Sequence, residues 1–200
     1  MSLTPQAIRD ELARVLLSPE EASALDVRGR TNSAVLVALY LDHDNRLRAV
    51  LTERRHDLRR HAGEISFPGG RHDDSDLDLQ ATALREAHEE IGLPPEAVEI
   101  VGALQPTPTI ATGYAIYPFV GLIDAGRTWT LSPREVAEVL ELPLAEMLGG
   151  YGRRRLIRRG IPIRTDTYVV ADKLIWGATA RILADLFDRI GPLLAREARA

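Results

Sequence analysis

The chain has no cysteine in its 200 residues, so disulfides, thiolate metal sites and thiol nucleophiles are excluded. Any metal ion must be held by oxygen or imidazole. Lysine is nearly absent too: Lys173 stands alone, and almost all positive charge is guanidinium, suited to forked contacts with phosphate. That charge is not in excess. With 25 basic against 29 acidic residues the net charge is −4, which argues against nucleic acid as a general partner. No apolar run approaches the roughly 20 residues needed to span a bilayer, and no basic segment leads into an apolar stretch with a small-residue cleavage site. The expected location is cytoplasmic, with no membrane partner. A glycine-rich phosphate loop of the Walker or dinucleotide kind is also missing.

What is present is ordinary globular composition, 45% hydrophobic and 27% charged, at a size that favours one domain over two. Thr4 and Pro5 read as a cap and first turn, followed by Ile8, Leu12, Val15 and Leu16 at helical spacing. The apolar run Ser33 to Leu41, the turn Asp42 to Asn45 and the segment Arg46 to Glu53 predict a hairpin that starts a central sheet. Phe67, Pro68, Gly69 and Gly70 predict a backbone turn that continues neither helix nor strand. A helix is expected from about Asp78 to Ile91, with Ala83, Leu84, Ala87 and Ile91 inward and Gly92 as its stop. Further strands are expected at Val98 to Leu104 and Tyr114 to Ile123, and a hairpin around Arg159 and Gly160. A last helix is expected to end near Gly191 and Pro192. The elements fit a mixed sheet with flanking helices.

The chemistry concentrates on the helix before Gly92. Glu86 and Glu90 are four residues apart and Glu89 is three from Glu86, so the three carboxylates crowd one flank. Like charges at that spacing cost an isolated helix roughly 0.2–0.5 kcal/mol per pair, a penalty that a bound cation reverses. Arg85 reaches Glu89 at the same four-residue spacing and is expected to orient it.

Residues Arg85 to Leu93, REAHEEIGL, placed after FPGG, resemble the Nudix hydrolase box: Gly, five spacers, Glu, seven spacers, then R-E-U-x-E-E-x-G-U. The match has departures. Counted back from Arg85, the box glycine falls at Arg71 and the first glutamate at Leu77, whereas the chain has Gly70 and the acids Asp76 and Asp78, as a one-residue insertion explains; Ala87 replaces a bulkier aliphatic residue. Upstream, Leu51, Thr52, Arg54, Arg59, Gly63 and Phe67 to Gly70 are similar to the motif of the coenzyme A pyrophosphatase branch, L-L-T-x-R, a small residue, three spacers, R, three spacers, G, three spacers, F-P-G-G. Val50 and Arg55 depart from it, while TGY at Thr112 to Tyr114 and the pair Trp176–Gly177 also look like that branch. The resemblance covers roughly residues 34 to 190.

It implies an α/β fold, the Nudix α/β/α sandwich with a mixed central sheet and a loop-helix-loop box, here one domain over residues 1–200 with an N-terminal helical extension of about residues 1–30. It implies Mg²⁺ or Mn²⁺ held by Glu86, Glu90 and Glu89, with Glu89, Arg85 and Glu135 as catalytic residues. Glu89 and an acid beyond the box, Glu135 or Glu138, are alternative general bases. Substrate contacts are expected from Arg54, Arg59, His61, Gly69 and Gly70, the arginines at 54, 55, 59 and 60 facing the phosphates. The second basic run, Arg153 to Arg155 with Arg158 and Arg159, is expected to be exposed and outside the site. The implied reaction splits coenzyme A, or its acylated or oxidised forms, into adenosine 3',5'-bisphosphate and 4'-phosphopantetheine. Alternatives are another nucleoside diphosphate derivative, such as ADP-ribose or a dinucleotide, or a nucleotide-binding module without hydrolysis. The partner is a small molecule; a homodimer stays open.

Overall fold

The computed structural model of the protein describes residues 4–58, 61–109, 113–158 and 161–197. Arg59, Arg60, Thr112, Arg159 and Gly160, all singled out in the sequence, lie outside the described residues.

Helix α1, Pro5–Val15, starts where Thr4 accepts a hydrogen bond from the Ala7 amide at 3.2 Å, and it buries Ile8 and Leu12. A short helix α2, Pro19–Ser23, follows behind a reciprocal Ser18–Glu21 cap. Strand β1, Thr31–Leu41, is buried on both faces over nearly its whole length, as its uninterrupted apolar run requires. The turn into β2, Leu47–Arg54, is held by Asp42, whose carboxylate accepts from the amides of Asp44 and Arg46. Two short strands come next, β3 at Ile65–Ser66 and β4 at Gly69–Arg71, and then α3 at Leu79–Ile91. A single 3₁₀ turn, Pro95–Ala97, leads to β5 (Glu99–Ala103), β6 (Thr107–Pro108), β7 (Tyr114–Leu122) and β8 (Val136–Pro143). The chain continues through α4 (Leu144–Gly149), β9 (Tyr151–Arg158), β10 (Ile161–Val170), β11 (Lys173–Trp176) and α5 (Gly177–Glu197).

The central sheet is mixed, with order β3-β2-β1-β7-β5; β1 and β7 run parallel and the other pairs antiparallel. Alternate residues of β1 serve two cores. Ala34, Leu36 and Ala38 pack with Ala83, Ala87 and Ile91 of α3, while Val35, Val37 and Leu39 pack with α1 and with Ile182, Leu186 and Ile190 of α5. This is the expected α/β/α sandwich. Strands β9 to β11 form a second, three-stranded antiparallel sheet. Arg153, Arg154 and Arg155 on β9 are exposed, as expected. Among the described residues no helix is long and apolar enough to cross a membrane.

Two local expectations fail. Gly69 and Gly70 do not break the chain; they form β4, paired antiparallel with β1. The reason lies in a splay of the sheet: β1 and β2 pair only beside their connecting turn, and Phe67 and Pro68 bridge the opening between β3 and β4, with the Leu36 amide donating to the Pro68 carbonyl at 2.9 Å. Nor does the last helix end at Gly191; it continues through Pro192 to Glu197. Proline removes one backbone bond, at about 3 kcal/mol with its steric clash. Burying Leu193 and Leu194, which are 1% and 3% exposed, returns roughly 1.5–3 kcal/mol each.

Candidate active site

Helix α3 lies across β1 and β4, so its inward carboxylates meet the glycines of FPGG. A Cβ on Gly70 would stand 2.4 Å from the Glu86 carboxylate, and one on Gly69 would stand 2.3 Å from the Ala34 carbonyl oxygen. At Gly69 the obstacle is backbone, so only glycine lets the strand pass this close to β1; at Gly70 a side chain would displace the Glu86 carboxylate from its present position. The Gly69 amide points at Glu90 Oε2 from 3.4 Å.

The three glutamates do not share one environment. The Glu90 side chain is 7% exposed, Glu86 18% and Glu89 57%. The pair four residues apart faces inward, and Glu89 leans outward. Burial holds the Glu90 carboxyl up at about 8, against the pull of the nearby Arg54 guanidinium and with a further push from Glu86 and Glu135. Glu86 is also raised, chiefly by burial, with Arg85 opposing. A solvated acidic face would show neither effect.

Arg85 does more than orient Glu89. Its Nη1 lies 3.0 Å from Glu86 Oε1 and 3.1 Å from Glu89 Oε2, while Nε and Nη2 grip Asp76 at 2.7 and 3.0 Å. This forked bond holds the Asp76 carboxyl well below the usual carboxylate range. Thr82 donates to the same carboxylate at 2.8 Å, and His72 Nδ1 lies 2.8 Å from the Thr82 hydroxyl. Asp78 serves the backbone instead, capping α3 by accepting from the Ala81 amide at 2.7 Å. Leu77, where a strict box count puts an acid, is 92% exposed. The Asp76–Thr82–His72 connection was missed in the sequence. Its one available signal is Thr82, which continues the Glu86–Glu90 stripe at four-residue spacing.

Arg54 enters from the end of β2. Its Nη1 stands 3.5 Å from Glu135 Oε2 and 3.9 Å from Glu90 Oε1, which joins the upstream motif to the box. Glu135 is delivered by a loop that docks on the last turn of α3: the Thr130 and Ser132 amides donate to the carbonyls of Ile91 and Glu90 at 3.1 and 2.8 Å. The other basic residues divide. Arg55 is engaged by Asp57 and by the Pro133 carbonyl. His61 is engaged 2.6 Å from Glu64. Glu138 does not join Glu135; it binds Lys173 instead. Beside Glu89 a shallow depression runs along His88, Gly92 and Thr130 to Arg134, outside the Glu86–Glu90 pair.

No three acidic or imidazole side chains among the described residues close into a metal cage. The donor set fits a divalent ion in a narrower sense. Glu86 and Glu90 are adjacent, hard oxygen donors whose charged forms are penalised by burial, and Mg²⁺ is commonly held by one or two carboxylates with water and substrate phosphate completing its shell.

The chain is similar to known proteins in sequence and in fold. The sequence profile of the NUDIX domain matches residues 30–159. Proteins described as "Uncharacterized Nudix hydrolase NudL" from Salmonella paratyphi B and Salmonella newport are 43% identical over 144 residues, covering 71% of this chain and 74% of theirs. Among solved structures, a MutT/nudix family protein from Enterococcus faecalis superposes with a TM-score of 0.58 at 14% identity, covering 96% of this chain and 76% of that one. That last likeness concerns the fold alone.

Proposed function

The chain belongs to the Nudix family, whose enzymes hydrolyse nucleoside diphosphate derivatives with the help of divalent metal ions, and on that premise we propose that this protein cleaves the diphosphate of coenzyme A. The observation that carries the reading is the convergence of Arg54, from the segment similar to the coenzyme A pyrophosphatase motif, on Glu90 of the box and Glu135 beyond it.

In this reading Glu86 and Glu90 hold Mg²⁺ or Mn²⁺, with Glu89 at the outer edge of the same turn. The ion, when bound, offsets charge on the diphosphate oxygens and acidifies a water. Arg54 binds a phosphate oxygen through its fork, and Gly69 and Gly70 bring the backbone up against the carboxylates. Arg85 keeps Glu86 and Glu89 in place while itself held by Asp76. Glu135 accepts the proton of the attacking water: an oxygen–phosphorus bond forms, the bridging phosphorus–oxygen bond breaks, and the phosphate of one half leaves. By the sequence resemblance, Arg59 and His61 would contribute to binding the 3'-phosphate.

The test is product analysis after incubation with coenzyme A and Mg²⁺ or Mn²⁺, beside dephospho-coenzyme A and ADP-ribose. Adenosine 3',5'-bisphosphate and 4'-phosphopantetheine are expected, with coenzyme A preferred over its dephospho form. Cleavage of ADP-ribose alone would move the protein to another nucleoside diphosphate substrate, and binding without any product would make it a non-hydrolytic module.

A further inference from the structure

The only lysine of the chain sits outside the cluster just described, and its contacts lead into it. Glu53 of β2 and Glu138 of β8 stand directly opposite each other in the ladder. Like charges in that relation push strands apart. Glu53 is moreover buried, at 9% exposure, where a carboxylate needs a partner. Lys173 supplies it from the other sheet: Nζ lies 2.5 Å from Glu53 Oε2 and 2.9 Å from Glu138 Oε2, and His56 Nε2 approaches the remaining oxygen of Glu53 at 2.9 Å.

Immediately beyond this pair the ladder slips. Arg54 falls opposite Val136 rather than the next residue in register, so one residue of β8 is left over as a bulge. Bulges turn the side chains that follow them; the pair that follows this one is Arg54 and Val136, with Glu135 next along the chain. Among the described residues no close side-chain hydrogen bond fixes Arg54. Its Nε is buried without a hydrogen-bond partner, and its nearest carboxylates are 3.5 and 3.9 Å away. Its aim therefore depends on where the strand end is pinned. Lys173 is itself delivered by a two-residue turn in which Ala171 and Asp172 both take left-handed conformations, at φ 46° and 66°, which few side chains tolerate.

We propose that Lys173 is a positioning residue for Arg54: by neutralising the opposed Glu53–Glu138 pair it pins the bulge that points the guanidinium at the carboxylate cluster. The inference rests on the reading of Arg54 as a substrate-binding residue for coenzyme A.

The experiment compares Lys173→Met, Lys173→Arg, Arg54→Met and the Lys173→Met/Arg54→Met double variant. In the substrate-free protein the ¹⁵N–¹H signal of Arg54 Nε, identified by its loss in Arg54→Met, is expected to shift or exchange rapidly in Lys173→Met and to stay in place in Lys173→Arg. In kinetics with coenzyme A, Lys173→Met is expected to raise KM about tenfold with kcat within about twofold, Lys173→Arg to restore it, and Lys173→Met to add nothing in the Arg54→Met background. An unmoved Nε signal in Lys173→Met, or a full additive effect in the double variant, overturns the proposal. If the wild-type protein leaves coenzyme A intact, the substrate reading falls, while the Nε signal still decides whether Lys173 sets Arg54.

Discussion

Glu90 is the residue at which burial and charge meet most sharply. In the folded, metal-free protein its carboxyl is held at about 8, against 4.5 for an exposed glutamate. Between those values the native state keeps a proton that the unfolded chain has released, so the contribution of this group to stability is complete below about pH 4.5 and is lost as pH rises through 8. Metal-free protein should therefore become less stable across that window, and the part of the slope due to this group should vanish in Glu90→Gln, as urea titrations at a series of pH values would record. The same substitution should lower turnover by roughly 100-fold or more with the fold intact. Wild-type turnover in Glu90→Gln under limiting Mn²⁺ would remove the residue from the mechanism. The spacing of Glu86, Glu89 and Glu90 is plain in the sequence. Their unequal burial is not, because it depends on β4 passing beneath the helix.

At the scale of elements, α3 and the loop before it carry two aspartates that look alike in the sequence and act differently. Asp78 stabilises the helix start by accepting one amide hydrogen bond, whereas Asp76 is the buried end of a forked ion pair with Arg85. Asp78→Ala should cost about 1 kcal/mol, the usual worth of an N-cap. Asp76→Asn should cost more, about 2–4 kcal/mol, because it leaves a guanidinium without its main partner in a half-buried position. Because Asp76 titrates below its unfolded value, its stabilising effect is present above that value and is lost as pH falls through the folded one. Asp76→Asn should therefore flatten the acid limb of the stability profile, and Asp78→Ala should leave that ion pair's share of it in place. Equal losses in the two variants, measured by denaturant unfolding, would contradict the division of roles. Insertion and box register alone could not separate them; the exposed Leu77 between them does, since a bend that buries Asp76 turns its neighbour outward.

At the scale of the molecule, one strand ties two cores together. Leu36 faces α3 and Leu39 faces the α1–α5 side, and both are fully buried. Truncating either to alanine should cost about 2–5 kcal/mol and shift one shared unfolding transition. Two separate transitions, each moved by only one of the variants, would mean that the layers unfold independently. The continuous apolar run from Ser33 to Leu41 announced a strand of a central sheet, and its burial on both faces accounts for the absence of alternation along it.

The sequence by itself determined a mixed sheet with flanking helices, the helix that carries the glutamates and its stop at Gly92, since periodicity and capping act over a few neighbouring residues, while the sandwich was implied by the family resemblance. It could not decide that Gly69 and Gly70 would pair as a strand or that α5 would run through Pro192, because in both cases packing by distant elements outweighs the local preference. Nor could it decide that Arg85 would seize Asp76, or that Arg54, Glu90 and Glu135 would meet. Those contacts join residues between nine and about eighty positions apart, and their geometry follows from a splayed sheet, a docked loop and a slipped ladder. Charge attracts at any sequence separation, but only the folded chain decides which charges come within reach of one another.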